Sequence, residues 1–213
     1  MKFFKFTSLA FATAVIAGCA SNVPLCGPGS NHPSCGAKTA PMAPAGESPA
    51  EQKARLDAFE QKLQAEIKVA EQSLASAVAA GKNLPPAQRA KNPMVKTTSA
   101  PLADSKTGRV FEFKVLDTAS IDMPLAGKGK RGYVEAMDEI KELANQLADS
   151  RGSSAIIVDQ AAEDIKARRV NTKSGVTQTQ AGNAVAVEKT SSGNVPRGIE
   201  RYTIKPGEVT VKP

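Results

Sequence analysis

The stretch from Ser48 to Gly81 restricts the possible folds more than any other part of the chain. Ser48-Pro49-Ala50-Glu51 sets a capping serine, a proline at the first helical position and a glutamate at the third. Hydroxyl and carboxylate can then satisfy each other's free backbone N–H groups. Apolar side chains recur at Leu56, Phe59, Leu63, Ile67, Ala70, Leu74 and Val78, in steps of three, four, four, three, four and four. That eleven-residue period follows a nearly straight stripe along a helix. Gly81 is placed to end the helix, and Pro85-Pro86 forbid its continuation. The spacing predicts an amphipathic helix over 49–81, a rod of about 48 Å at about 1.5 Å per residue. Such a stripe has little to bury against alone. One reading lays the helix against the C-terminal domain or uses it as a spacer. The other makes Leu56, Phe59, Leu63, Ile67 and Leu74 the seam of a homo-oligomer, weakened by alanines along the stripe.

The N-terminus carries an address. Lys2 and Lys5 precede an apolar run from Phe6 to Ile16, and Ile16-Ala17-Gly18-Cys19 follows it. A basic start, a short apolar core and small residues before a cleavage point make a secretory signal. The run is too short to span a bilayer comfortably. Its final tetrapeptide resembles the lipobox of bacterial lipoproteins. The resemblance implies cleavage after residue 18, a diacylglyceryl thioether on Cys19 and acylation of the new amino terminus. Several acyl chains on one residue, at about 0.8 kcal/mol per buried methylene, make anchoring durable. Ala20 and Ser21 lack the aspartate that retains such proteins at the inner membrane. The resemblance therefore implies an outer-membrane location, on the periplasmic face or the cell surface.

Composition then removes one class of function. With 28 Lys+Arg against 21 Asp+Glu the chain is mildly basic, too diffusely for a nucleic-acid footprint. Four of the seven phenylalanines (Phe3, Phe4, Phe6, Phe11) lie in the signal, and there is no tryptophan. Few rings remain to stack on bases, so no nucleic-acid partner is expected. Cys26 and Cys35 flank a Gly/Pro-rich turn, which in an exported chain reads as a local disulfide. The alternative, a metal site using Cys26, His32 and Cys35, lacks an evident fourth ligand. No metal or cofactor is expected.

Prolines and glycines divide the rest. Residues 19–48 read as a flexible lipidated tether, able to reach at most about 95 Å. Residues 82–108 hold Pro85, Pro86, Pro93 and Pro101 with Lys82, Arg89, Lys91 and Lys96, and read as a solvated basic linker. Residues 109–213 form the predicted domain. Phe111, Phe113 and Val115 alternate within a strand over 109–117, and Ala155 to Val158 form a buried one. Val134, Met137, Ile140, Ala144 and Leu147 share one face of a helix over 133–150 that Gly152 closes. Hairpins are expected to join 165–172 to 176–180, and 199–204 to 209–211 through a type II turn at Pro206-Gly207. Residues 184–189 make one more strand. The fold class expected is α+β: a small, mostly antiparallel sheet with one packed amphipathic helix, preceded by a long single helix and flexible tethers.

Few residues offer chemistry. The only histidine, His32, lies in the tether, and the domain has no cysteine. Asp117, Asp122, Asp159, Glu163 and Asp164 read as surface charge and turn caps. Gly127-Lys128-Gly129-Lys130-Arg131-Gly132 is different: its glycines would let backbone approach an anion, and a helix follows. Lys128, Lys130 and Arg131 are therefore candidate anion-binding residues. Lys166, Arg168 and Arg169 form a second basic group, placed on a strand.

In layout, with a lipobox, a Pro-rich tether and a small domain, the chain is similar to envelope-stress sensor lipoproteins. Those carry domain disulfides that 109–213 cannot form, so no residue role is carried over. The expectation is a lipid-anchored envelope protein and not an enzyme, an interaction or sensing module whose partner is an envelope protein or peptidoglycan. A structural oligomer organised by residues 49–80, or less readily an enzyme, is the alternative.

Overall fold

The structure, a computed structural model, describes residues 47–209. Cys19, Cys26 and Cys35 lie outside the described residues, and with them the expected signal, lipid site and disulfide and nearly all of the expected tether. The first helix, α1 (Pro49–Ala80), runs for 32 residues behind a complete Ser48–Glu51 capping box. It does not stand alone. Leu63, Ile67, Ala70, Leu74 and Ala77 are buried in the core.

Six strands form one mixed sheet: β1 (Lys91–Ala103), β2 (Val110–Pro124), β3 (Ser153–Gln160), β4 (Gly175–Gln178), β5 (Ala184–Thr190) and β6 (Ile199–Pro206). Their order is β1-β2-β6-β3-β5-β4. Only β3 and β5 run parallel; the other neighbours are antiparallel. Between β2 and β3 runs α2 (Arg131–Arg151), closed by Gly152 in the left-handed conformation. A single turn of helix, α3 (Ala162–Lys166), follows β3. The fold is thus α+β, but two helices cover the sheet where one was expected.

The helices lie antiparallel. Gly132, at the start of α2, packs on Ala80 and Gly81, and the far end of α2 meets Glu66. There Arg151 donates from Nε (2.8 Å) and Nη2 (2.5 Å) to one Glu66 oxygen, while Ser150 donates to the other. Both charged side chains are almost wholly buried, so each needs the other. The first turns of α1 extend beyond α2 and cover the β1–β2 hairpin. Phe59 meets Phe113 edge to face at 5.2 Å, in a smaller cluster with Leu56, Leu63, Val115 and Phe111. Arg55 clamps this end through the wholly buried Asp104, with an Nη1–Oδ1 distance of 2.8 Å. Hydrogen bonds from Arg55 hold the Asp104 carboxyl well below the usual carboxylate range. Leu56, Phe59, Leu63, Ile67 and Leu74 are therefore packed within one chain. The stripe is not an open seam for self-association.

Five further expectations are corrected. Much of the supposed linker is β1. It is an edge strand paired only with β2, where prolines are tolerated because alternate N–H groups need no partner. Pro93 sits at a register break beside Asn92, whose φ is +53°, and Pro101 stands opposite Glu112. Strand β2 is longer than predicted. Lys96 opposes Thr118 and Thr97 opposes Leu116, so Asp117 is an extra residue, and the bulge buries both Val115 and Leu116. Residues 165–172 form the end of α3 and a turn, and β4 pairs with β5 instead. The C-terminal hairpin is absent among the described residues, because β6 is central and both its edges are taken by β2 and β3. On α2 the buried face includes Tyr133, Ala136 and Leu143, while Val134 is exposed.

Truncation of Leu74 to alanine should lower the unfolding free energy by about 2–5 kcal/mol in urea titrations. Leu63→Asp with Ile67→Asp should abolish cooperative unfolding at every protein concentration. A pair that keeps the native fold and loses only oligomers would restore the seam reading.

Candidate functional site

The chain's connections bring its two basic segments to one end of the sheet. The loop after β2 passes through a short 3-10 turn (Leu125–Gly127) into α2, and β3 leads into α3 at the same end. Gly198, just before β6, ties them together. Its carbonyl accepts from Leu125 N (2.8 Å), and its N–H donates to Asp164 Oδ2 of α3 (2.6 Å). Asp164 is wholly buried and accepts this bond as part of the framework. Lys128, Lys130 and Arg131 at the entry to α2, and Lys166, Arg168 and Arg169 around the end of α3, are all exposed. The second group belongs to the last residue of α3 and the turn after it, not to a strand; Arg168 adopts a positive φ of +54° there. Arg131 pairs with Glu135 at 2.7 Å, an exposed contact of small worth.

The glycines of the first loop answer to packing more than to a ligand. A Cβ on Gly127 would lie 2.4 Å from the Gln88 carbonyl oxygen, and one on Gly132 only 2.6 Å from that of Ala80. Gly129 alone stands in open space, with φ +78°. Two of the three glycines thus seat this segment, Gly132 on the end of α1 and Gly127 on the turn that follows it. No side chain caps the first turn of α2, so its partial positive charge adds to that of the cations.

Beneath the loops lies a buried polar layer. The Glu200 carboxylate accepts from Gln160 Nε2 (2.7 Å), Tyr202 OH (3.1 Å) and Tyr133 OH (3.5 Å). Gln160 also donates to the Asn171 carbonyl at 2.9 Å, which holds the loop after α3. Lys189 of β5 lies half-buried with Nζ 5.6 Å from the Tyr202 ring centroid, close enough for a cation–π contact. Burial holds the Lys189 ammonium below its usual range; the Glu200 charge opposes this, and Lys128 adds to it. Burial, helped by the Glu200 charge, pushes the Tyr133 phenol up to about 12. Burial pushes Tyr202 up as well, with Tyr133 and Glu200 adding to the effect. Strand alternation carries the signal for this layer: Glu200, Tyr202 and Ile204 share a face, so a carboxylate sits in line with two core residues.

The other acidic residues are separate. Asp122 takes Arg201 through both oxygens (2.7 and 3.1 Å) and Asn92 besides. Asp159 accepts from Ser192 N at 2.7 Å, while Asp117 and Glu163 are exposed. Among the described residues no three His, Cys, Asp or Glu side chains are grouped to hold a metal ion. A cleft of about 220 Å³ lies between Phe59, Glu66, Arg151 and Val209, away from the basic end. Among the described residues no helix is long and apolar enough to cross a membrane.

Two measurements check this geometry. Tyr133 and Tyr202 are the chain's only tyrosines and tryptophan is absent, so the phenolate absorbance reports this layer alone. Folding favours the neutral phenols. Their contribution to stability is complete below about pH 10, where free phenols ionise, and is lost as pH rises through the folded values. The absorbance should stay flat through pH 10 in folded protein and rise only with alkaline unfolding. Ionisation of either phenol near pH 10 without unfolding would contradict the burial. Separately, Gly132→Ala should destabilise the fold by about 1–3 kcal/mol, because the new methyl meets the Ala80 carbonyl.

No family model, no curated protein and no solved structure matches this chain.

Proposed function

We propose that this chain is a lipid-anchored protein of the bacterial outer membrane, held by acyl chains on Cys19, and that it works as a binding module, not an enzyme. The observation that carries this reading is the convergence of Lys128, Lys130 and Arg131 with Lys166, Arg168 and Arg169. Segments more than thirty residues apart in sequence meet through Gly198 and present six exposed cations on one end. The basic loop keeps its candidate role as the contact for an anionic envelope component, whether a protein, the cell wall or a bilayer surface. Its rigid seat, on Gln88 through Gly127 and on Ala80 through Gly132, supports this role, because a fixed platform loses less entropy on binding than a floppy one.

The test is made in cells. A photo-crosslinking residue replaces the exposed Ala126 or Ala167, one on each basic loop, in the full chain. Reproducible crosslinks from both positions to one envelope component are expected. A parallel Cys19→Ser chain should lose labelling by a fatty-acid analogue and leave the membrane fraction. Crosslinks spread evenly over abundant proteins from both positions would overturn the binding reading. Undiminished fatty-acid labelling of the serine variant would overturn the anchor.

A further inference from the structure

We infer that the basic end docks on a surface of phosphate groups, that of an anionic phospholipid bilayer; this names the partner of the module proposed above and rests on that reading. Three observations lead to it. The first is the manner in which the cations are presented. All six stand exposed at one end of the sheet, on the turn into α2 and on the end of α3 with the turn after it, and the 220 Å³ cleft described above includes none of them. Long, solvated side chains on a rim suit a plane of repeated charges better than a discrete small anion, which needs enclosing donors.

The second is Val134. It is 48% exposed on the first turn of α2, three residues after Arg131 and so on the neighbouring helical position. An aliphatic side chain among cations is the pattern of a peripheral membrane contact: the charges meet phosphates and the apolar group enters the headgroup boundary. The α2 N-terminus adds its partial positive charge at the same place. The third is local charge imbalance. The acids of this end are turned inward: Asp164 on Gly198, Asp122 on Arg201, Glu200 on Gln160 and the tyrosines. Glu135, paired with Arg131 at 2.7 Å, and Glu163 remain exposed, and Arg169 lies 3.9 Å from Asp164, so Lys128, Lys130, Lys166 and Arg168 form the surplus.

The reach is sufficient. The described chain begins at Glu47, beside Arg55 and Asp104, which is the end of α1 away from Gly132. The basic end thus lies about 48 Å from it along α1. The residues between Cys19 and Glu47 span at most about 95 Å. The basic end can therefore reach back to the bilayer that holds Cys19.

The test uses residues 19–213 with Cys19→Ser, so that no lipid contributes. Co-sedimentation is measured with vesicles of phosphatidylglycerol mixed with phosphatidylcholine, with vesicles of phosphatidylcholine alone, and with isolated peptidoglycan. Binding is expected to the anionic vesicles only, and should vanish in about 1 M salt, where the screening length is about 3 Å. Each cation near such a surface is worth about fivefold. Neutralising Lys128, Lys130 and Arg131 to glutamine should therefore weaken binding on the order of 100-fold. The same change at Lys68, Arg109 and Lys114, exposed elsewhere on the fold, should leave it within about twofold. Equal binding to neutral vesicles, an equal loss in both triple variants, or binding to peptidoglycan alone would overturn the proposal. Specific crosslinks in cells to a protein or to the cell wall, with no vesicle binding, would overturn the bilayer and leave the binding module standing. Absence of both would overturn the two together.

Discussion

The rest of the structure depends on α1 lying antiparallel beside α2 across one face of the sheet. Six strands about 4.8 Å apart offer a face some 24 Å wide, and one helix covers only about 10 Å of it. With α2 alone, much of that apolar surface would stay wet. α1 supplies the second half of the layer, and its straight stripe suits a long, nearly flat contact. The close approach at Gly132 sets how near the helices come, and the Glu66–Arg151 pair sets their register. Glu66 falls between Leu63 and Ile67 on the buried side, so its charge is tolerable only where Arg151 meets it. A slide by one turn would leave both charges buried and unpaired.

That dependence also explains which parts of the fold the sequence revealed. Helix limits were legible because they are set locally, by Ser48 and Glu51 at one end and by glycines at the others. The strands around 111–115, 155–158 and 184–189 were legible because alternation or a short apolar run is local too. Strand β1 was hidden. Prolines exclude a central strand, yet nothing in residues 91–103 announces that a position at the edge is free. The bulge at Asp117 hid the second half of β2 in the same way, since an extra residue reverses the alternation. The C-terminal hairpin failed for a global reason. Pro206-Gly207 is a sound turn signal, but both edges of β6 were already taken, and Gly207 N–H donates to the Ser153 carbonyl at 2.8 Å instead.

The candidate site divides along the same line. Its cations could be read one by one, but their meeting at Gly198 could not, because it depends on the strand order. The glycines of the basic loop were visible and their work was not. Gly127 and Gly132 are there for backbones of α1 and the segment after it, which no local pattern discloses. The stripe on α1 shows the complementary case: its apolar period was legible, while the surface it packs on, the chain's own sheet and α2 in place of a second copy, had to come from the fold.

The surplus charge at the basic end follows from how the chain turns there. The ends of β2, β3 and β5 all deliver loops to this edge, and each loop needs acceptors for backbone N–H groups that the sheet no longer satisfies. Asp164 and Asp159 serve Gly198 and Ser192 in this way, and Glu200 holds the side chains of Gln160 and the two tyrosines beneath. An acid used as an acceptor inside the fold is withdrawn from the surface. Of the cations at this end, Arg201 is drawn in by Asp122 and Lys189 lies over the Tyr202 ring, while Lys128, Lys130, Arg131, Lys166, Arg168 and Arg169 stay exposed. A chain whose composition is only mildly basic thereby builds one strongly basic end, because most of the acids there are spent as acceptors within the fold.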